Sequence, residues 1–356
     1  MHFSLAFILF IRIFGFVNES NKQIDSFSQL RLPLIVLITF AHSYSGVRAG
    51  WTLWDGGWDS YEMLKLVVSE TLVKVAMPTF FVMSGYLFFV NATPHSDHRS
   101  ECVTEWNAKT YWSKLRRRAK TLLVPYIIWN IAMAVKLKSF SLSIFIEPAN
   151  MPLWFLRDLM IVSLLTPIIY IGVRKLGYWI FAILLPIYLT GLYAVQPGLT
   201  PYAVCFFTLG AFLSIRKMDL IETCMKYETP SYVLTVLLGI GMILTFRTPI
   251  FSPLMLCFRM AGTIAIFCIA HRILSTTNKR IPQIACDASY FIYLAHYVFF
   301  FAFLDAWFIS LFGTSTASLC IHYLTLPLLK AGILTGVYMG MAATDSFQRE
   351  NPSNSR

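Results

Sequence analysis

The sequence predicts an all-α membrane protein, and its composition carries that prediction. Of 356 residues, 57% are hydrophobic and 13% are charged, and the mean hydropathy is +0.63. A folded soluble chain of this size needs more polar groups to cover its surface. The 30 Phe, 17 Tyr and 9 Trp suit lipid-facing helices and the aromatic belts at membrane interfaces. We therefore expect a polytopic helix bundle and exclude a soluble enzyme.

Apolar segments long enough to cross a bilayer, which takes about 20 residues, divide the chain into ten predicted transmembrane helices. Residues 1–30 are predicted to form a cytoplasmic or interfacial segment, because their apolar part is too short to span and contains Arg12. Residues 31–344 then form one transmembrane domain, and residues 345–356 a cytoplasmic tail. The predicted spans are 31–48, 66–90, 121–137, 152–172, 177–193, 201–215, 231–247, 250–271, 289–312 and 319–344.

Positive charge predicts the orientation, because Lys and Arg near span ends are retained in the cytoplasm. With the amino terminus inside, most of the 29 Lys and Arg fall on the cytoplasmic side, and an even number of spans places both termini there. Topology and contacts with the lipid bilayer explain the net charge of +11, so no nucleic-acid partner is predicted. The seven cysteines form no CxxC pair, which indicates neither a disulfide framework nor a zinc site.

The first predicted span carries the leading candidate pair, Arg31 and His42. Ionisable groups inside a span are costly, and each is therefore a candidate functional residue. The two are eleven positions apart, which places them on one helix face about 16 Å apart along the axis. We predict Arg31 at the cytoplasmic edge and His42 beyond the midplane. The alternative is that Arg31 only snorkels to the interface and His42 bonds a carbonyl.

Depth along the predicted spans selects neighbours for His42. Glu70 and Lys74 of the second span, with Arg157 and Asp158 of the fourth, fall in the outer half or near the middle of the membrane. The alternative is that these charges pair chiefly to survive burial, since Glu70 and Lys74 are spaced i to i+4 and the other two are adjacent. We favour that alternative for Asp158.

The last two predicted spans hold weaker candidates, because no spacing joins them to a common face with a partner. They are His296, Asp305, His322 and Lys330. His296 is seven residues inside the cytoplasmic end of its span, and we expect it to be too shallow to face His42. That depth argues against a haem protein that uses two facing histidines.

The run KTYWSKLRRRAKTLLVPY, residues 109–126, places six cations directly before the third predicted span. Contact with anionic lipids is one explanation for them. The other is that some turn inward and bind a phosphorylated ligand, for which arginine is well suited. The cations are Lys109, Lys114, Arg116, Arg117, Arg118 and Lys120.

The segment PTFFVMSGYLFF, residues 78–89, places Ser84, Gly85 and Tyr86 near the predicted cytoplasmic end of the second span. Small residues in a span usually permit close helix packing. A small polar pair near the basic run is also suited to letting a slender acyl-thioester arm pass. Separately, an outer loop places Trp51, Trp54 and Trp58 among acidic residues, which suits belt anchoring or stacking on a sugar.

Five motifs of the chain, in order, resemble one family. Together they resemble the integral-membrane acyltransferase-3 family, whose members O-acylate surface polysaccharides, peptidoglycan and related glycans in bacteria. The resemblance covers residues 31 to about 341. The motifs are Arg31 with ten residues before His42, PTFFVMSGYLFF, the basic run ending in LLVPY, PLWFLRDL (152–159) and SYFIYLAH (289–296).

The resemblance implies an acyltransferase of the bacterial cytoplasmic (inner) membrane. It implies that an acyl group, usually acetyl, passes from cytoplasmic acyl-CoA to a glycan hydroxyl, without a permanently bound cofactor. It also implies that Arg31 and His42 are the essential pair. Lys114 with Arg117, or Arg117 with Lys120, is the nearest fit to the family's arginine pair. We expect these cations and Arg118, with Ser84, Gly85 and Tyr86, to bind acyl-CoA.

For the reaction, we predict that His42 acts as general base on the acceptor hydroxyl and that Glu70 sets its tautomer. A covalent acetyl-His42 relay is the alternative. Lys74, Arg157 and Trp154 are expected at the substrate and the developing oxyanion, where a cation in a dry cavity acts strongly. No metal is required. The rival class is a transporter or flippase for a glycan or lipid precursor or a small anion, in which His42 relays protons.

Overall fold

The computed structural model describes residues 22–43, 59–90, 106–190, 200–277, 279–300 and 303–350, and every regular element in these ranges is a helix. The all-α prediction is therefore confirmed. The longer helices are α1 (Lys22–Ala41), α2 (Ser60–Val90), α3 (Ala108–Arg118), α4 (Val124–Lys136), α5 (Trp154–Leu164), α6 (Thr166–Leu176), α7 (Trp179–Thr190), α8 (Pro201–Ile215), α9 (Leu220–Met225), α10 (Glu228–Leu244), α11 (Phe251–Thr277), α12 (Gln283–Phe300), α13 (Phe303–Phe312) and α14 (Thr316–Glu350).

Three of the described helices are long and apolar enough to cross a membrane: Ser60–Val90, Phe251–Thr277 and Thr316–Thr344. A fourth candidate is the pair α5 and α6, which is bent by 59°. Four further apolar helices are shorter, and they lie in α1, α7, α8 and α10. The number ten and the position of the termini stay predictions.

Several predicted boundaries differ from the helices. α1 begins at Lys22, so the predicted amino-terminal segment 1–30 overlaps it and Arg31 lies midway along the helix rather than at its edge. His42 follows the end of α1 directly. The predicted span 152–172 is broken between α5 and α6 because Pro167 has no N–H to bond the Ser163 carbonyl, and the Thr166 hydroxyl donates to that carbonyl instead (2.7 Å).

The chain forms two compact units. The first unit combines Met1–Val73 with Arg272–Arg356, and the second consists of Lys74–His271. In the first unit α1, α12 and α14 pack against one another, and Tyr61, Leu319 and Tyr323 form a buried hydrophobic cluster there.

The second unit is built around the packing of α2 on α8. Gly85 and Gly210 make this close approach possible. A Cβ on Gly85 would overlap the carbonyl oxygen of Phe207, and a Cβ on Gly210 would overlap that of Val82. The helix-packing interpretation of Gly85 therefore describes its position, because backbone of the neighbouring helix fills the space beside it.

Two helical stretches are irregular, and both carry predicted site residues. Within α2, Leu66–Thr71 is π-helical and Leu72–Val75 is a 3₁₀ turn. Ala119–Leu123, between α3 and α4, is also π-helical and contains Lys120. Single π turns inside helices are frequent at functional sites.

Candidate active site

The start of α12 is clamped to α1 by hydrogen bonds. The side chain of Gln29 donates to the Ile281 carbonyl (3.1 Å) and accepts the Ile281 N–H (2.6 Å). Ser28 donates to the side chain of Gln283 (3.2 Å). His42 and His296 each follow 13 positions after Gln29 and Gln283 respectively, a rise of about 20 Å on either helix. The clamp thus brings the two histidines to one level on parallel helices.

The ring of His42 lies 5.5 Å, centroid to centroid, from the rings of both His296 and Tyr297. The expectation that His296 is too shallow to face His42 is therefore wrong. That expectation took depth from the ends of apolar segments, whereas the relative level of the helices is set by the side-chain clamp.

His296 is 2% exposed. Its Nδ1 lies 2.8 Å from the Tyr293 carbonyl oxygen and 3.0 Å from that of Ile292. Its Nε2 is buried and has no hydrogen-bond partner among the described residues. Nδ1 is therefore hydrogen-bonded within its own helix, whereas Nε2 can still accept or donate a hydrogen bond.

A second polar group adjoins His42 through its neighbour Ser43. The Lys330 ammonium donates to the Ser43 hydroxyl (3.2 Å) and lies 3.4 Å from Asp305. The other carboxylate oxygen of Asp305 is 3.1 Å from Nε2 of His322. Ser43, His322 and Lys330 are each at most 2% exposed.

The group around His42 and His296 and the group around Lys330 together form one cluster, which we call the histidine core. The expectation that His296, Asp305, His322 and Lys330 share no face with a partner is wrong, because four elements of the first unit bring them together. Lys330 is also within electrostatic range of His296. The histidine core consists of His42, Ser43, His296, Asp305, His322 and Lys330.

Arg31 is half-buried on α1, and the carboxylate of Asp287 at the start of α12 lies within electrostatic range of it. Gln283 donates to that carboxylate (2.8 Å). Arg31 lies on α1, and His42 follows the end of that helix directly.

Glu70 and Lys74 are half-buried. Glu70 lies in the π-helical stretch of α2, and Lys74 lies in the 3₁₀ turn that follows, so rotation per residue is not that of an α-helix. Next to Glu70, the Ser69 hydroxyl is 2.5 Å from the Tyr323 hydroxyl and donates to the Phe40 carbonyl (3.2 Å). Glu70 itself is within electrostatic range of Tyr323.

In the second unit, Asp158 has a structural role. One carboxylate oxygen accepts two hydrogen bonds from Arg157 (2.8 and 3.0 Å), and the other accepts the N–H and hydroxyl of Thr200 (3.0 and 2.5 Å) at the start of α8. Arg157 also donates to the Ile146 carbonyl (2.5 Å). Trp154, one turn away, packs edge-on against the ring of Tyr202 (5.7 Å). Arg157 and Asp158 therefore pair with each other inside the protein, which is the alternative that we favoured for Asp158 from the sequence.

Arg118 turns into the second unit. It donates to the hydroxyls of Ser84 and Ser163 (both 2.9 Å) and lies over the ring of Phe88 (4.7 Å). Tyr86 is buried nearby on α2. A hydrogen bond between two side chains of the protein therefore joins Ser84 to the basic run.

Lys114 lies one turn before Arg118 and also faces inward. It donates to the Phe88 carbonyl, and its ammonium lies over the rings of Phe88 (5.5 Å) and Trp106 (5.7 Å). Burial, with the neighbouring charges of Arg118 and Arg117, lowers the pKa of Lys114 to about 8. The remaining cations of the run, which we call the exposed cations, are solvent-facing. They are Lys109, Arg116, Arg117 and Lys120.

The outer-loop tryptophans Trp51, Trp54 and Trp58 lie outside the described residues. Asp59, at the end of that loop, caps α2 by accepting the Glu62 N–H (3.0 Å) and also accepts the hydroxyl of Thr316 (3.0 Å). This acidic residue therefore orders the start of α2.

Sequence reasoning named all members of the histidine core except Ser43 but did not join them. The signal that does join His42 with His296 is the equal offset from Gln29 and Gln283, and it is recognisable only once the clamp between those two segments is known.

Comparison with known proteins identifies the family of this chain. The family model described as an acyltransferase domain, of the acyltransferase 3 type, matches residues 24–337. The succinoglycan biosynthesis protein ExoH of Rhizobium meliloti (strain 1021) is 25% identical over 170 residues, which cover 41% of this chain and 42% of that relative. The chain thus spans less than half the length of that curated relative. No solved structure matches. The chain is a membrane protein of the acyltransferase 3 family.

Proposed function

We propose that this protein transfers an acyl group, specifically acetyl, from cytoplasmic acyl-CoA to a hydroxyl of a cell-surface or lipid-linked glycan. The observation that carries the proposal is His42, an imidazole that lies beside a second, buried imidazole and directly follows the helix of Arg31, in a chain of the acyltransferase 3 family. The name of the relative, a succinoglycan biosynthesis protein, supports a polysaccharide acceptor. We further propose ten spans in a bacterial inner membrane, with both termini cytoplasmic.

In this reaction His42 acts as general base. It takes the proton of the acceptor hydroxyl as the oxygen attacks the thioester carbonyl, so that a C–O bond forms and the C–S bond breaks. The proton then passes from His42 to the CoA thiolate, and the products are the O-acyl glycan and free CoA. Proton transfer by a positioned side chain is typically worth about 10²- to 10⁴-fold in rate.

The basic run supplies the contacts for the phosphates of acyl-CoA. The exposed cations, Arg117 and Lys120 among them, are solvent-facing and available to a phosphate. Lys114 and Arg118 face inward and shape the surface beneath them.

The test is acyl transfer by the purified protein in detergent or nanodiscs. Release of CoA thiol from acetyl-CoA, and label transferred to envelope glycan, are measured for the native protein and for His42→Ala. We expect a loss of about 10²- to 10⁴-fold in the variant. His271→Asn, a half-buried histidine of the second unit, is the matched control and should keep full activity.

Two outcomes contradict the proposal. One is that His42→Ala turns over acetyl-CoA at the native rate. The other is that native protein transfers no acyl group but moves a glycan precursor across vesicles, which supports the transporter class instead.

A further inference from the structure

We propose that His296 is the positioning residue of His42: its Nε2 accepts a hydrogen bond from the His42 imidazole and directs the other nitrogen of His42 at the acceptor hydroxyl. This inference rests on the proposed function and deepens it. It assigns to a second imidazole the role that sequence analysis gave to the carboxylate of Glu70.

The first step is the tautomer of His296. Both groups in contact with Nδ1, the carbonyls of Ile292 and Tyr293, can only accept hydrogen bonds. Nδ1 therefore carries the proton. In a neutral imidazole the other nitrogen is then an acceptor, so Nε2 presents a lone pair.

The second step is the environment of that lone pair. Nε2 is buried and has no hydrogen-bond partner in the part of the chain that the structure describes. Buried polar atoms without partners are rare in native proteins and call for an explanation such as a catalytic role. The aromatic ring nearest to His296 is that of His42, with Tyr293 and Tyr297 slightly further away.

The third step is distance. Ring centroids 5.5 Å apart leave space for one direct bond of about 3 Å between facing ring nitrogens, after a small rotation of the His42 side chain. Catalytic hydrogen bonds are often long or misaligned without substrate and tighten when it binds. The clamp at Gln29 and Ile281 holds the two helices in the register that this bond requires.

The arrangement has a clear chemical consequence. When His42 takes the proton of the hydroxyl, the imidazolium that forms donates its second N–H to the Nε2 lone pair. His296 itself stays neutral, because its Nδ1 proton is held by two carbonyls and the Lys330 ammonium lies within electrostatic range. The titratable groups facing the pair are Lys330 of α14 with Tyr293 and Tyr297 of α12.

Two substitutions separate positioning from packing. His296→Asn keeps an amide near Nδ1, where it can still donate to the helix carbonyls, but it removes the acceptor at Nε2. His296→Gln places an amide oxygen near Nε2 and gives up the Nδ1 donor. We expect His296→Asn to lower kcat by about 10- to 100-fold and His296→Gln to retain most activity.

The pH profile gives a readout that a packing role would not move. The acid limb of kcat/KM reports protonation of His42. Without the Nε2 acceptor the imidazolium of His42 is less stabilised, so the acid limb of His296→Asn should shift to lower pH by about one unit. His271→Asn should leave both kcat and the limb unchanged.

The outcomes distinguish the two proposals. If native protein transfers no acyl group, the proposed function fails. If native protein is active and His42→Ala is not, while His296→Asn keeps the native kcat and acid limb, only the present inference fails. Equal losses in Asn and Gln variants with an unmoved limb also overturn it.

A direct measurement covers the case in which the variants do not fold. The ¹⁵N shifts of histidine-labelled native protein report the tautomer of each ring. We expect one ring, His296, with Nδ1 protonated and Nε2 unprotonated at neutral pH. Protonation at Nε2 would overturn the inference whatever the variants do.

Discussion

The two units bury their titratable groups in different ways. In the second unit, Asp158 uses both carboxylate oxygens and Arg118 donates to two serines. In the first unit, Nε2 of His296 and Nδ1 of His322 are buried without hydrogen-bond partners among the described residues. A saturated group holds helices together, whereas a buried group with an uncommitted atom can exchange protons with a substrate. We therefore expect the acid–base chemistry in the first unit.

The largest effect expected in the second unit is the loss of Asp158. Asp158→Ala leaves the half-buried Arg157 without its carboxylate and removes the acceptor of the Thr200 N–H and hydroxyl, so the free energy of unfolding should fall by about 3 kcal/mol. Thermal unfolding in detergent measures it. Protein that still folds should keep its kcat, because the group is structural.

Asp219→Ala is the matched control for that variant. It also removes an aspartate that accepts a backbone N–H at the start of a helix, since Asp219 accepts the Glu222 N–H (2.8 Å), but no buried charge depends on it. Its cost should be about 1 kcal/mol. A normal unfolding temperature with reduced kcat in Asp158→Ala would show that this carboxylate takes part in the reaction. The difference between the two units would then not hold.

A smaller loss of stability is expected from Gly85→Ala. The new Cβ overlaps the carbonyl of Phe207, so α2 and α8 must separate, at a cost of about 2 kcal/mol. Gly332→Ala on α14 meets open space, and the alanine should stabilise that helix slightly. Unfolding temperatures of the two variants test this. An unchanged stability with a raised KM for acyl-CoA in Gly85→Ala would instead indicate the passage of an acyl arm.

The smallest effect concerns the exposed cations. Arg117→Gln should raise KM for acyl-CoA by about 3- to 10-fold and leave kcat unchanged, because an exposed phosphate contact is made equally in ground and transition states. Steady-state kinetics measure the split. Lys175→Gln, an exposed cation at the end of α6, should change neither constant. Equal KM values for both variants would remove the phosphate role from Arg117.

Sequence periodicity predicted the helices well where one helix forms one apolar stretch. The predicted spans 201–215 and 250–271 correspond to α8 and to most of α11. It does not describe two local backbone features. Pro167 lies at the bend within the predicted span 152–172, and Glu70 lies in the π-helical stretch of α2, where the rotation per residue is not that of an α-helix. Both are local backbone events that a uniform 100° per residue does not represent.

The amino-acid sequence by itself determined that the chain is helical and apolar, that Arg31 and His42 are eleven positions apart, and that its motifs are those of an acyltransferase. These follow from composition, spacing and order along the chain. Only the tertiary structure decided which residues meet. The level of His42 against His296 depends on a clamp between Gln29 and Ile281, which are 252 positions apart. Hydrogen bonds at that separation set helix register, and local periodicity contains no information about them.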